Sequence, residues 1–214
     1  MFGVSGHRYQ LLQDSGRGRR FIAVQYALWA LVWMLSHLAG GAIVGLGLGW
    51  LGTQAPGLVH GTGPLLLGTG LLLGGLHQLQ VVSIPMPQVQ RQVPRHWLVQ
   101  FPWSVTAVGY GLQLGAAVTT RIADASTYGA LLAALVAGTP EAGATILAVF
   151  GVVRALPAVV IGPVAGSVGR AFAWALRLEA SERVLARVSG LLLLLAGVAW
   201  LIVCWETGPL LTPN

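Results

Sequence analysis

The sequence predicts an all-α, polytopic integral membrane helix bundle. Three observations carry that prediction. Only 8% of the 214 residues are charged, against roughly 25% in average soluble proteins. Hydrophobic residues make up 55%, with 30 glycines besides. No charged residue occurs between Arg20 and Arg91, a gap of seventy positions. A soluble domain of this size needs a polar coat and finds none here, so secreted, disordered and ordinary cytosolic classes are excluded. Several membrane-crossing helices remain.

Residues 1–20 are a polar head carrying Arg8, Arg17, Arg19 and Arg20. The first membrane half spans 21–84. Its opening apolar run, 21–52, is longer than one crossing of a ~30 Å core requires. With Gly40, Gly41, Gly45, Gly47 and Gly49 inside it, the expected course is a crossing over 21–40, then a glycine-broken or re-entrant segment over 42–58. Residues 63–84 make the second crossing. Pro85 and Pro87 then remove backbone donors and open a polar linker, 85–98.

The second half, 99–163, holds a crossing over 99–120, a second glycine-broken segment over 125–138, and a crossing over 142–163. Pro140 sits just inside the start of that last helix, where proline is favoured. Residues 164–187 carry four arginines and two glutamates and read as an amphipathic helix on anionic head groups, or as a partner-docking surface. The final crossing covers 188–205 within 188–214, with Trp200 and Trp205 as interfacial anchors. The count is five full crossings, or six to seven if the broken segments also cross. At seven, 21–84 and 99–163 form inverted three-helix repeats.

All twelve basic residues are arginine, against six acidic residues, for a formal charge of +6. Placing the N-terminus, the 85–98 linker and 164–187 in the cytoplasm puts ten of the twelve arginines inside a bacterial inner membrane. The arginines lie between apolar runs and form no basic domain, so the predicted partner is the lipid bilayer, not nucleic acid. The single cysteine, Cys204, allows no intramolecular disulfide and no dithiol chemistry. No cleavable signal peptide is expected at the start. The oligomeric state is left open.

Polar groups at membrane depth are costly and face the protein interior. Four places stand out: Ser36-His37; His77-Gln78 with Gln80; Gln113 with Thr119, Thr120, Arg121 and Asp124; and Arg154 followed by Pro157. Arg121 and Asp124 are three apart and suit either an interfacial ion pair or a broken helix lining a path. Arg154 lies about 18 Å into its helix, near mid-bilayer, where an unpaired guanidinium demands company. Asp124 and the hydroxyls of Thr119 and Thr120 are its candidate partners, and Pro157 is expected to kink that helix. His37 and His77 suit interhelical hydrogen bonds, proton transfer or, with His60, a metal path; the metal remains unassigned. The GxxxG spacings signal close helix packing. Walker A, HExxH, GxSxG and CxxC motifs are missing from the sequence, and neither a catalytic constellation nor a cofactor is predicted.

The run Gly109-Tyr110-Gly111-Leu112-Gln113-Leu114-Gly115 through Gly138, with Thr139-Pro140 and Phe150-Gly151-Val152-Val153-Arg154-Ala155-Leu156-Pro157, resembles the second half of the CcdA/DsbD membrane family within the wider LysE-type transporters. The resemblance covers 103–165. It implies two helical halves around a path. Members of that family that carry reducing equivalents use a cysteine in each repeat. The matching positions here read Val118-Thr119-Thr120-Arg121 and His37-Leu38-Ala39-Gly40, so the resemblance carries over no redox site.

The expected function is a small bacterial inner-membrane transporter or permease, non-enzymatic, moving an ion or small solute. Its path is lined by Arg154, Asp124, Arg121, Thr120, Gln113, His77 and His37. The alternative is a membrane accessory subunit that assembles or matures a redox or metal enzyme, akin to cytochrome c biogenesis-type proteins.

Overall fold

Every described element is helical. The computed structural model describes residues 19–85, 100–116, 124–165, 173–174, 176–177 and 180–207. Among these are α1 (Arg19–Thr53), a π-helical turn (Leu58–Thr62), α2 (Gly63–Gln78), α3 (Trp103–Gly115), α4 (Ala125–Val136), α5 (Pro140–Ala165) and α6 (Glu182–Thr207). Three helices are long and apolar enough to cross a membrane: Phe21–Thr53 of α1, Pro140–Val160 of α5 and Glu182–Glu206 of α6.

Local chemistry sets most of the boundaries. Pro64 occupies the first turn of α2, where its missing N–H costs nothing. Pro102 caps the start of α3 in an extended conformation. Asp124 is the N-cap of α4, its carboxylate accepting from the Ser126 N–H at 2.7 Å. The Thr139 hydroxyl accepts from the Ala142 N–H at 3.3 Å in front of Pro140 and Glu141, which open α5. α4 ends on Gly138 at φ +66°, a left-handed position suited to glycine.

The long apolar run does not break at its glycines. α1 is one continuous helix of 35 residues, about 52 Å at 1.5 Å per residue. The expected re-entrant segment over 42–58 is therefore corrected. The glycines provide contact surface instead. A Cβ on Gly41 would meet the carbonyl oxygen of Leu147, one on Gly45 that of Gly143, and one on Gly49 that of Thr139. This four-residue stripe descends antiparallel along α5, and the two backbones touch directly. Among the described residues, 21–84 holds two α-helices and 99–163 three, which departs from matched three-helix repeats. The segment expected to re-enter at 125–138 is the regular helix α4. Pro157 lies inside α5, which continues past it to Ala165.

Two helix groups share α1 and α5. The Tyr26 end of α1 packs with α3 and the later half of α5 around Tyr26, Trp29, Trp33, Ala107, Tyr110, Ala155 and Ala158. Against the other half of α1 lie α4 and the start of α5. α2 is antiparallel to α6, Gly75 meeting Leu194 and Gly190 while Gly68 meets Leu201, and α4 packs against α2. The surface carries the large apolar side chains: Val24, Leu28, Leu31 and Leu35 on α1, and Leu191, Leu195, Val198 and Ile202 on α6. Their i, i+3/i+4 spacing gives continuous apolar outer stripes, as lipid-facing helices require.

Candidate functional site

Beside small and aliphatic residues, the interior of the bundle holds Tyr26, Trp29, Trp33 and the polar Ser36 and His37 of α1, while many large aliphatic side chains lie outside. Tyr26, Trp29, Trp33 and His37 recur at helical spacing along one face of α1 and stack in order. The ring centroids are 5.3, 5.5 and 4.7 Å apart between successive members. The Tyr26 hydroxyl donates to the Val159 carbonyl at 2.8 Å and pins the ladder to α5.

His37 closes the ladder and is fully buried, at 0% exposure. Glycines bring the neighbouring helices up to it. A Cβ on Gly115 of α3 or on Gly151 of α5 would run into the His37 carbonyl oxygen, and one on Gly111 would crowd Ser36 and the imidazole. Its Nδ1–H donates to the Trp33 carbonyl at 2.9 Å. That bond fixes the ring orientation and leaves Nε2 with the lone pair in the neutral form. Nε2 is buried and has no hydrogen-bond partner, as are Trp33 Nε1 and Arg154 Nη1.

The register of α1 against α5 explains why these three nitrogens belong together. Gly41 meets Leu147, and His37 meets Gly151. One turn further, Arg154 lies level with the interval between Trp33 and His37. Arg154 is within electrostatic reach of both His37 and Asp124. These neighbouring levels of α1 and α5 thus carry a guanidinium donor, an indole donor and an imidazole nitrogen that accepts when neutral. Such a set suits a small hydrogen-bonding group of negative or neutral charge, ordered water included.

Asp124 is held in a different way. Besides capping α4, it accepts from the Ser189 hydroxyl of α6 at 3.1 and 3.0 Å. The expected ion pair with Arg121 cannot be placed, because Arg121, Thr119 and Thr120 lie outside the described residues. Gln113 is half-buried on α3, two positions before Gly115.

His77 belongs to another helix pair. It sits in the last turn of α2, which packs on α6 and α4. Its Nδ1 accepts from the Ile84 N–H at 3.2 Å, so the neutral ring carries its proton on Nε2 and has no spare lone pair for a metal. Among the described residues no group of three or more His, Cys, Asp or Glu could hold a metal ion. Of the metal path conceived through His37, His60 and His77, the structure sets His37 and His77 on different helix pairs, and the side chain of His60 lies outside the described residues. Of the seven expected path residues, the structure gathers His37 and Arg154, with Asp124 within electrostatic reach, and sets His77 apart. Trp33 and Ser189 are additions. The i, i+3/i+4 aromatic spacing was the available signal for Trp33, while Ser189 had none.

The chain is similar to three curated relatives. It is 35% identical over 160 residues to methylamine utilization protein MauF of Paracoccus denitrificans, covering 70% of this chain and 54% of that protein. It is 32% identical over 152 residues to MauF of Paracoccus versutus, covering 70% and 55%. For MauF of Methylophilus methylotrophus the identity is 33% over 141 residues, covering 64% and 45%. The chain thus spans about half the length of the curated relatives it matches. These relatives overturn the resemblance to the CcdA/DsbD and LysE-type families, which rested on glycine placement and a Leu-Pro pair that any close-packed membrane helix can share. No family model matches the chain, and no solved structure matches it.

Proposed function

We propose that this chain is a membrane-embedded accessory protein that supports assembly or maturation of a redox or metal enzyme in methylamine utilization. The observation that carries the reading is the similarity to MauF proteins over 70% of the chain. In this reading the protein is non-enzymatic and multi-pass in a bacterial inner membrane, with its N-terminus cytoplasmic. The outward aliphatic stripes of α1 and α6 support the membrane placement, and the arginine distribution supports the orientation. The two halves 21–84 and 99–163 then act as one scaffold held by the α1–α5 seam. The His37–Arg154 centre is its polar core.

Two measurements separate this role from solute transport. Tagged protein is solubilised from membranes of methylamine-grown cells, and its co-purifying proteins are identified. In parallel, the pure chain in proteoliposomes is tested for flux of labelled methylammonium and small anions. The accessory role predicts a captured enzyme subunit or precursor and no flux above protein-free vesicles. A purely monomeric preparation that moves solute would overturn it.

A further inference from the structure

A cleft of about 320 Å³ opens where α2 ends and α6 begins, lined by His77, Gln78, Gln80, Val82, Ser83, Glu182 and Ala186. It is separate from the His37–Arg154 centre. The chain leaves α2 through a left-handed C-terminal motif. The Gln80 N–H donates to the His77 carbonyl at 2.9 Å and the Val81 N–H to the Leu76 carbonyl at 3.0 Å. This geometry puts the residue after the C-cap in the left-handed region, where glycine is the default. α4 ends with glycine at that position. α2 ends with Gln80, at φ 62°, the non-glycine residue with positive φ among those described. A side chain held in that conformation is strained, and strain of this kind collects at sites where the side chain is needed. Gln80 is among the residues that line the cleft.

The lining defines what the cleft takes. Among the described residues that line it, Glu182 is the one acidic group and none is arginine or lysine. Amide and hydroxyl oxygens of Gln80 and Ser83 add acceptors. Val82 and Ala186 supply a small apolar wall. Since His77 Nδ1 is occupied by the Ile84 N–H, the imidazole does not complete a metal site. We propose that this cleft binds a short alkylammonium ion, its N–H donors on Glu182, Gln80 and Ser83 and its alkyl group against Val82 and Ala186. Methylammonium as the probe rests on the methylamine reading above; the ammonium class rests on the cleft.

The test is calorimetric titration of the purified full chain in lipid nanodiscs with methylammonium chloride, at ionic strength balanced with potassium chloride. Saturable binding is expected. Tetramethylammonium, which has no N–H donor, should bind at least about tenfold more weakly, and Glu182→Gln should weaken methylammonium by about tenfold or more. Gln80→Gly is the decisive variant. It should raise the thermal midpoint by relieving the strained backbone and still weaken methylammonium several-fold. Lack of saturable binding by the unmodified chain, or equal affinity in Glu182→Gln and Gln80→Gly, would overturn the proposal. Failure here would leave the accessory role standing, because that role is read from co-purifying protein and not from ligand binding.

Discussion

Alanine at Gly45 and at Gly47 should have opposite effects on stability, although the two positions lie two residues apart on one helix. At Gly47 an added Cβ finds nothing within 4 Å. That substitution only removes glycine's backbone freedom from a helix interior, which is worth about 0.5–1 kcal/mol in favour of alanine. At Gly45 the added Cβ would lie 2.6 Å from the Gly143 carbonyl carbon and 2.8 Å from the Ala144 Cα, and closer still to the Gly143 oxygen. Ordinary carbon contacts need about 3.5–4.0 Å. The obstacle is backbone, so no rotamer change relieves it, and α1 and α5 must move apart by about 1 Å along their largest shared surface. Overpacking of this kind costs about 1–3 kcal/mol. The two variants should therefore differ by roughly 1.5–4 kcal/mol. Unfolding by graded SDS in mixed micelles, followed by the fluorescence of buried Trp29 and Trp33, measures the difference. Equal midpoints for the two variants would refute the claim that backbone contact along α1–α5 holds the bundle together.

Asp124→Ala should lower stability by about 1–2 kcal/mol in the same unfolding assay, because it removes the cap of α4 and strands the Ser189 hydroxyl. Tyr26→Phe should cost about 0.5–1.5 kcal/mol, the net worth of one hydroxyl-to-carbonyl bond. Arg154→Leu should leave the unfolding midpoint unchanged or raised, since it removes the buried Nη1, which has no hydrogen-bond partner. The same variant should lose co-purification of the partner enzyme, measured by quantitative mass spectrometry of the tagged preparation. Cys204, buried on α6 at 4% exposure, should react with maleimide at least tenfold more slowly in the native protein than after unfolding in SDS, as thiol labelling by mass shift would record.

Composition alone made the helical membrane class legible, because the absence of charge over 21–90 leaves no other folded solution. The start of α5 was legible because Pro140 marks it, whereas α2 ends at Gln78, short of the expected 84. The continuity of α1 was not. Gly40 to Gly49 reads as a breaker series by propensity, yet propensity is a weak prior against tertiary packing. Each of these glycines except Gly47 faces another backbone, and that contact is set by residues between 72 positions (Gly40 to Leu112) and 106 positions (Gly41 to Leu147) away. A local reading of glycine as a hinge cannot see the partner that makes it a contact.

The polar residues show the same limit in a different form. His37 and Arg154 were visible as costly groups at depth, and their proximity follows only from the α1–α5 register, which the glycine stripe sets. That dependence has a consequence for function. A centre whose geometry is fixed by backbone contact on three helices can tolerate little movement of any one of them. The unpaired nitrogens of Trp33, His37 and Arg154 are therefore presented in one arrangement, with the imidazole tautomer already chosen by the Trp33 carbonyl. Such pre-organisation suits recognition of one hydrogen-bonding group better than passage of a solute, which needs sites weak enough to leave and helices free to part. The rigidity of the seam thus argues for a scaffold holding a polar centre, in line with an accessory role. It also makes Gly115 and Gly151 as important to that centre as the side chains themselves, since either Cβ would displace His37 at its own carbonyl.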